Sequence, residues 1–163
     1  MNTINIRLAT LQDYDNIWEI FQEVIKTRDT YVFDHETPKH KLNTYWFADY
    51  MHTYVAEINR NILGTYILKP NQVDLGSHIA NGSYMVHPKA QGKSIGTAMC
   101  KHSLKEAKEL GFRAIQFNSV VSTNTSAIHL WKKYGFSVIG TIPGGFNHQK
   151  LGYVDTLIMY KKL

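Results

Sequence analysis

The residues best suited to chemistry form one run, Val86-His87-Pro88-Lys89-Ala90-Gln91-Gly92-Lys93-Ser94-Ile95-Gly96-Thr97-Ala98. Pro88 breaks a strand ending at Val86, and a loop with two glycines then opens a helix. A loop of this kind aims several free backbone N–H groups at one point, with the positive end of the helix dipole behind them. Small residues let the oxygens of a pyrophosphate approach the main chain. The run is a candidate anion cradle. It is not the phosphate loop of nucleotide hydrolases: Gly92-Lys93-Ser94 resembles the tail of that motif, but its first glycine would have to stand where the chain has His87. Nor is it a dinucleotide fingerprint, since only Gly92 and Gly96 are present.

Other residue types narrow the chemistry. Asn118 lies in a strand-like segment, an unfavourable place for asparagine unless its amide is used. Among eight histidines, His35 and His40 are five apart and His78 and His87 nine apart, and no Cys or Glu completes a ligand set, so no metal site is expected. His87 beside Pro88 reads as structural. The lone Cys100 has no partner for an internal disulfide, and its spacing places it on the buried face of a helix.

The elements that must position these groups follow from periodicity. Asn5 to Ala9 alternates as a strand, and Thr10 caps a helix over residues 11–28, with Leu11, Tyr14, Ile17, Ile20, Phe21, Val24 and Ile25 at helical spacing. After the aromatic loop Tyr31-Val32-Phe33, a second helix is expected from about Pro38 to Met51. Strands His52 to Asn59 and Ile62 to Leu68 are joined by a turn at Arg60-Asn61, and a third covers His78 to His87. Helix then alternates with strand. Residues 94–110 are helical and stop at Gly111; Phe112 to Val121 is a strand; residues 125–134 are helical and stop at Gly135; Phe136 to Ile142 and Val154 to Lys161 complete the sheet. The order β-α-α-β-β-β-α-β-α-β-β predicts an α/β fold, a mixed sheet with helices on its faces.

The bulk numbers set limits on partners and class. The 163 residues suit a single domain spanning 1–163, able to bury roughly 70% of its unfolded surface. Hydrophobic content of 44% and charged content of 19% exclude a disordered or fibrous chain. Apolar stretches are short, and the N-terminal residues lack the apolar core of a signal peptide, so no membrane association is expected. With a single cysteine, a cytoplasmic location is the expectation. The net charge of +5 comes from eighteen Lys and Arg scattered along the chain, the densest groups being the pairs Lys132-Lys133 and Lys161-Lys162. That pattern does not predict a nucleic-acid partner, and it suits a polyanionic cofactor.

Two blocks carry a resemblance. Gln91-Gly92-Lys93-Ser94-Ile95-Gly96 is similar to the Gln/Arg-x-x-Gly-x-Gly/Ala signature of the GNAT superfamily, the Gcn5-related N-acetyltransferases. The run Asn124-Thr125-Ser126-Ala127-Ile128-His129-Leu130-Trp131-Lys132-Lys133-Tyr134-Gly135-Phe136 resembles that superfamily's Asn-x-x-Ala-x-x-Leu-Tyr-x-x-x-Gly-Phe block. The strand order agrees along essentially the whole chain. The resemblance implies a GNAT-like fold whose central parallel strands, ending near Val86 and Val121, splay apart. It also implies acetyl-CoA as co-substrate. Gln91, Gly92, Lys93, Ser94, Ile95, Gly96 and Thr97 would hold its pyrophosphate, and main-chain groups around Met85 and Val86 would pair with pantetheine like an added strand. Asn124, Ala127 and Trp131 fall at cofactor-facing positions, although Asn124 also reads simply as an N-cap. Gly82 would mark a bulge that opens the slot.

The sequence departs from the pattern at points that matter for catalysis. Ser94 replaces the central glycine. Trp131 stands where many relatives carry a tyrosine that reprotonates the CoA thiolate; that task falls to water, to Tyr134, or to no group, since a thiol of pKa about 8.5 leaves tolerably as thiolate. Asn81 stands where a glutamate base often sits. The amine must lose a proton before attack, so deprotonation runs through water or another carboxylate, for which Asp155 is the candidate. Asn81 and Asn118 come from the two splayed strands, so both amides could donate to an oxyanion or a substrate carboxylate.

Phe117-Asn118, Ser122-Thr123-Asn124 and Gly152-Tyr153-Val154-Asp155 are similar to the fungal acetyltransferases of azetidine-2-carboxylate and other proline analogues. The Tyr31-Val32-Phe33 loop resembles the phosphinothricin-type amino-acid acetyltransferases. Both likenesses imply a small amino-acid-like amine as acceptor, with Tyr31 and Phe33 in its pocket; core packing explains these aromatics equally well. The expected chemistry is direct attack in a ternary complex, with backbone N–H near Met85 or Val86 stabilising the oxyanion. The rivals are a protein N-terminal or lysine acetyltransferase and a non-catalytic acetyl-CoA-binding module. A homodimer is compatible with the resemblance.

Overall fold

A computed structural model of the chain describes residues 3–163. Its strands are β1 (Asn5–Leu8), β2 (His52–Ile58), β3 (Asn61–Pro70), β4 (Ile79–Val86), β5 (Ala114–Val121), β6 (Ser137–His148) and β7 (Gly152–Lys162). Its helices are α1 (Tyr14–Ile25), α2 (Leu42–Tyr45), α3 (Ile95–Glu109) and α4 (Thr125–Lys133). The seven strands form one sheet in the order β1-β2-β3-β4-β5-β7-β6. Only β4 and β5 pair in parallel; every other neighbouring pair is antiparallel. This is the expected element order and the expected mixed α/β sheet.

Period-two alternation assigns the two faces. Tyr54, Ala56, Tyr66, Leu68 and Ala80 point to the side covered by α3 and α4. Val55, Ile67 and Met85 point to the side where α1 packs through Ile17, Ile20, Phe21 and Ile25. Under α3, the tyrosines of three adjacent strands lie in a row. Tyr54 stacks on Tyr66 at 4.7 Å and Tyr66 on Tyr84 at 5.3 Å, centroid to centroid. Each ring keeps its hydroxyl paired to α3: Tyr54 with Glu106 at 2.9 Å, Tyr66 with His102 at 2.7 Å and Tyr84 with Ser103 at 2.8 Å.

The differences from the sequence expectation have local causes. The first helix opens with a 3-10 turn, Leu11–Asp13, where the Asp13 carboxylate accepts from the Thr10 amide at 2.7 Å and the Arg7 guanidinium at 2.8 Å. The second helix is a single α turn, because Trp46 leaves helical geometry and sinks its indole into the core, donating to the Thr65 hydroxyl at 2.8 Å. The β2–β3 turn falls at Asn59-Arg60, both with positive φ, as a tight hairpin turn requires. Strand β6 runs six residues past the expected end at Ile142, because Pro143-Gly144-Gly145 is absorbed as an irregularity in the β6–β7 ladder. Gly111 and Gly135 take left-handed φ of 86° and 88° where they end their helices.

Candidate active site

The sheet is incomplete at its centre. Strands β4 and β5 pair only at Ile79 with Ala114 and at Ala80 with Ile115, then diverge into a wedge. At the apex Asn81 Nδ2 donates to the Gln116 carbonyl at 3.1 Å, so a side-chain amide makes the first rung beyond the last pair. On the other wall β5 carries a bulge: its register against β7 slips between Phe117 and Val120, across Asn118 and Ser119. The β3–β4 ladder, by contrast, is unbroken from Gly64–Val86 to Pro70–Ala80. The bulge expected at Gly82 therefore lies on β5. Gly82 has a packing role, since a Cβ there would stand 3.1 Å from the Tyr84 ring and 3.2 Å from the Ile67 carbonyl.

Alternation decides which main-chain groups face the wedge. His87 N–H donates to Leu63 O and Asn71 N–H to Ile79 O, both at 2.8 Å, so odd-numbered residues of β4 turn toward β3. The N–H and C=O of Gly82, Tyr84 and Val86 consequently face the wedge. Met85, expected to supply main-chain pairing together with Val86, turns its peptide groups to β3, and its side chain sinks into the core under α1. Tyr84 is already engaged. The Tyr31 hydroxyl accepts from its N–H at 2.9 Å and donates to its C=O at 2.5 Å, standing in for the missing strand.

Beyond Val86 the chain makes the expected cradle. Pro88–Ala90 is a 3-10 turn, Gly92 has φ +78°, and Ser94 has φ +61° just before α3. The first bond of the helix is Ala98 N–H to Ser94 O at 3.0 Å, which leaves the amides of Ile95, Gly96 and Thr97 as its open end. A Cβ at Gly92 would meet nothing within 4 Å, so that glycine answers to its φ alone. At Gly96 the nearest atoms would be 3.8 and 3.9 Å away, which leaves room for a bound group against the main chain.

Wedge and cradle open into one cleft of about 1000 Å³. The structure brings Tyr31, Phe33, Asn81, Met85, Val86, Gln91, Gly92, Ser94, Ile95, Gly96, Thr97, Asn118, Asn124, Ala127 and Trp131 to its lining. Asn124 caps α4, its Oδ1 accepting from Ala127 N–H at 3.3 Å. Trp131 is buried against Phe117 at 4.6 Å and Tyr84 at 4.8 Å. Asn118 is exposed, donating to Asn71 at 2.7 Å and accepting from Gln116 at 3.0 Å.

Three expected residues stand elsewhere. Lys93 is exposed outside the lining, because the left-handed turn at Gly92 and Ser94 directs main chain, not this side chain, to the cleft. Tyr134 packs against the core at the end of α4. Asp155 is exposed on β7 with its carboxylate held by Gly144 N–H at 2.9 Å, a consequence of the β6 irregularity. Cys100 is buried away from the cleft, and burial pushes its thiol up to about 12. Burial also raises the Tyr31 and Tyr84 phenols well above the ordinary value, so both stay protonated as donors.

The sequence reading missed Asp29, Thr30, Ser83, Ser119, His129 and Lys133 on the lining. His129 and Lys133 were readable, since they follow the capping Asn124 on one helix at i, i+4 spacing. Asp29 was not, because its position depends on a loop crossing to β4. Among the described residues, no cluster of three or more His, Cys, Asp or Glu could hold a metal ion, and no helix is long and apolar enough to cross a membrane.

Comparison with known proteins agrees with this geometry. Residues 14–136 match the Acetyltransferase (GNAT) family. The N-acetyltransferase aca1 of Schizosaccharomyces pombe is 36% identical over 99 residues, 60% of this chain and 47% of that protein, so the chain spans about half the length of this curated relative. A GCN5-related N-acetyltransferase from Kribbella flavida superimposes with a TM-score of 0.94 at 36% identity, covering 98% of each chain. The phosphinothricin acetyltransferase of Sinorhizobium meliloti, solved in complex with AcCoA, shares the fold with a TM-score of 0.87 at 22% identity over 99% of this chain and 89% of that one.

Proposed function

The chain belongs to the acetyltransferase (GNAT) family, and we propose that it moves an acetyl group from acetyl-CoA to the amine of a small amino-acid-like acceptor, by direct attack in a ternary complex. The observation that carries the donor half is the wedge between β4 and β5, which opens directly onto the N-terminus of α3. The amides of Gly92 and Ser94 to Thr97 would hold the pyrophosphate, and the wedge-facing peptide groups of Val86 and Gly82 would pair with pantetheine. When bound, the thioester supplies the electrophilic carbonyl.

The residues of this chain then position the chemistry. Asn81 braces the apex, and its second Nδ2–H, with the main-chain N–H of Gly82, would stabilise an oxyanion. Asn118 offers a second amide from the bulge on the opposite wall. Cys100, buried with a raised thiol pKa, is unsuited to an acyl-enzyme, which supports direct attack. Reprotonation of the CoA thiolate is assigned to water, since Tyr134 stands off the lining.

A small acceptor is supported by closure of the far side of the cleft. Gln149 N–H, at the β6–β7 tip, donates to Arg28 O at 3.2 Å, so the hairpin meets the α1–α2 loop next to Asp29 and Thr30 of the cleft lining. Tyr31 and Phe33, stacked at 6.1 Å, wall the same end. A protein acceptor would want an open groove there. The test is acetyl-CoA consumption with a panel of amino acids, cyclic imino acids, simple amines and peptides. Turnover of free amino or imino acids is expected. Turnover of peptides alone would favour a protein acceptor, and tight acetyl-CoA binding without turnover would favour a binding module.

A further inference from the structure

We propose that Asp29 receives the acceptor's ammonium group and takes its proton; this rests on the acetyl-transfer reading above. Among the described residues, Asp29 is the sole carboxylate lining the main cleft, whose other ionisable side chains of charge-bearing type are His129 and Lys133 on α4. It also lines an adjoining pocket of about 300 Å³ with Thr30, Asn124, Ser126 and His148. That places it by the N-terminus of α4, with Lys133 at the other end of the helix, about 12 Å away along its axis. A protein of net charge +5 would repel a cationic amine from the cleft. The one negative group there decides where an ammonium can dock.

Its position is pinned from both sides. One residue before it, the Arg28 carbonyl is tied to Gln149 of the hairpin tip, and Arg28 itself holds a left-handed φ of 52°. Two residues after it, the Tyr31 hydroxyl is locked to both peptide groups of Tyr84 inside the wedge. The Thr27 hydroxyl, which also meets the Val24 carbonyl at 2.7 Å, shares its proton between that oxygen and one carboxylate oxygen of Asp29, Oδ1, and no described residue bonds Oδ2. Such pre-set backbone beside a cleft, with one non-glycine residue held at positive φ, is the arrangement expected where strain fixes a working group. The titratable and charged side chains that share a pocket lining with it are His148 in the adjoining pocket and His129 and Lys133 in the main cleft, Lys133 at its far end. The Nδ1 of His148 already accepts from Lys150 and Leu151 amides at 3.1 and 3.3 Å, so its neutral form carries N–H at Nε2.

The ammonium gives one proton to the Asp29 carboxylate, and the freed lone pair forms the C–N bond to the thioester carbonyl carbon. The C–S bond breaks with its electron pair going to sulfur. The second proton, lost from the new amide nitrogen, ends on the CoA thiolate through water, and the proton on Asp29 returns to solvent through the cleft mouth. One proton is released per turnover.

The experiment compares wild type with D29N and D29E at saturating acetyl-CoA across pH. D29N keeps the oxygen that Thr27 bonds, and acetyl-CoA affinity reports that its fold and donor site are intact. Its kcat/KM for the amine should fall on the order of 100-fold, with affinity for acetyl-CoA unchanged and partial recovery in D29E. The pH–rate profile of D29N should shift upward toward the amine's own pKa, where free amine no longer needs a carboxylate. Equal kcat/KM, or a uniform fall with an unshifted profile, overturns the assignment. Should wild type turn over no amine, the acetyl-transfer reading falls, and titration of the same amines into the CoA-bound protein judges Asp29 alone. Weaker binding by D29N supports the docking role, and equal binding overturns it.

Discussion

The two ends of the cleft are built from different material. The proposed donor end, from Gly82 to Thr97, presents main-chain groups set by strand parity, two left-handed residues and a helix N-terminus. The proposed acceptor end presents side chains from four separate segments: Asp29 and Tyr31 after α1, Asn81 on β4, Asn118 on β5, and the β6–β7 tip. Peptide groups read a phosphate or an amide whatever side chains surround them. An acceptor must be recognised by side chains that other parts of the chain hold in place. On the proposed assignment, donor use is a property of the backbone, and acceptor choice a property of the packing.

Substitutions at either end separate the two. Filling the cradle should have the largest effect: Gly96→Val adds atoms where the main chain leaves room, and should weaken acetyl-CoA binding about 100-fold, near 2.7 kcal/mol, with little change in melting temperature. Calorimetric titration checks it, and unchanged affinity would remove the pyrophosphate from this site. At the acceptor end, Asn81→Ala and Asn118→Ala should each lower kcat about tenfold or more, the scale of a lost single donor, with acetyl-CoA affinity nearly unchanged. Steady-state kinetics at saturating donor read this, and unaltered kcat in both variants would dismiss the amides from catalysis.

Smaller effects test the joints between the ends. Tyr31→Phe strips the hydroxyl from both peptide groups of Tyr84, leaving a half-buried N–H and C=O unpaired, and should cost about 1–3 kcal/mol of stability. Denaturant unfolding measures that loss, and a neutral result would mean water replaces the hydroxyl freely. Ser94→Gly relieves a left-handed serine and should stabilise by about 1 kcal/mol while leaving acetyl-CoA affinity unchanged or improved. A loss of affinity there would show that the serine hydroxyl itself touches the donor.

The same division explains what the sequence made legible. Pro88, Gly92, Gly96, Gly111 and Gly135 act within a few residues of themselves, so their turns and helix ends could be read directly. The order of all seven strands followed from periodicity for the same reason. The inward turn of Trp46 depends on Thr65, nineteen positions away in the chain, and so the second helix was read too long. Met85 was one residue out of phase, because only the β3 partnership fixes which peptide groups face the wedge. Asp155 stands off the cleft lining with one carboxylate oxygen accepting from Gly144 N–H, a placement that depends on β6 continuing through Pro143-Gly144-Gly145. Asp29 became visible only when the hairpin tip met Arg28 and Tyr31 reached Tyr84.

The most direct test of a main-chain donor site is residue-resolved amide hydrogen exchange with and without acetyl-CoA. Protection should rise at Val86 and Gly82 and across Gly92 and Ser94 to Thr97, while Ser83 and Met85, already paired to β3, stay unchanged. Protection confined to other strands, or spread evenly along β4 without alternation, would contradict the wedge as the place where acetyl-CoA is held.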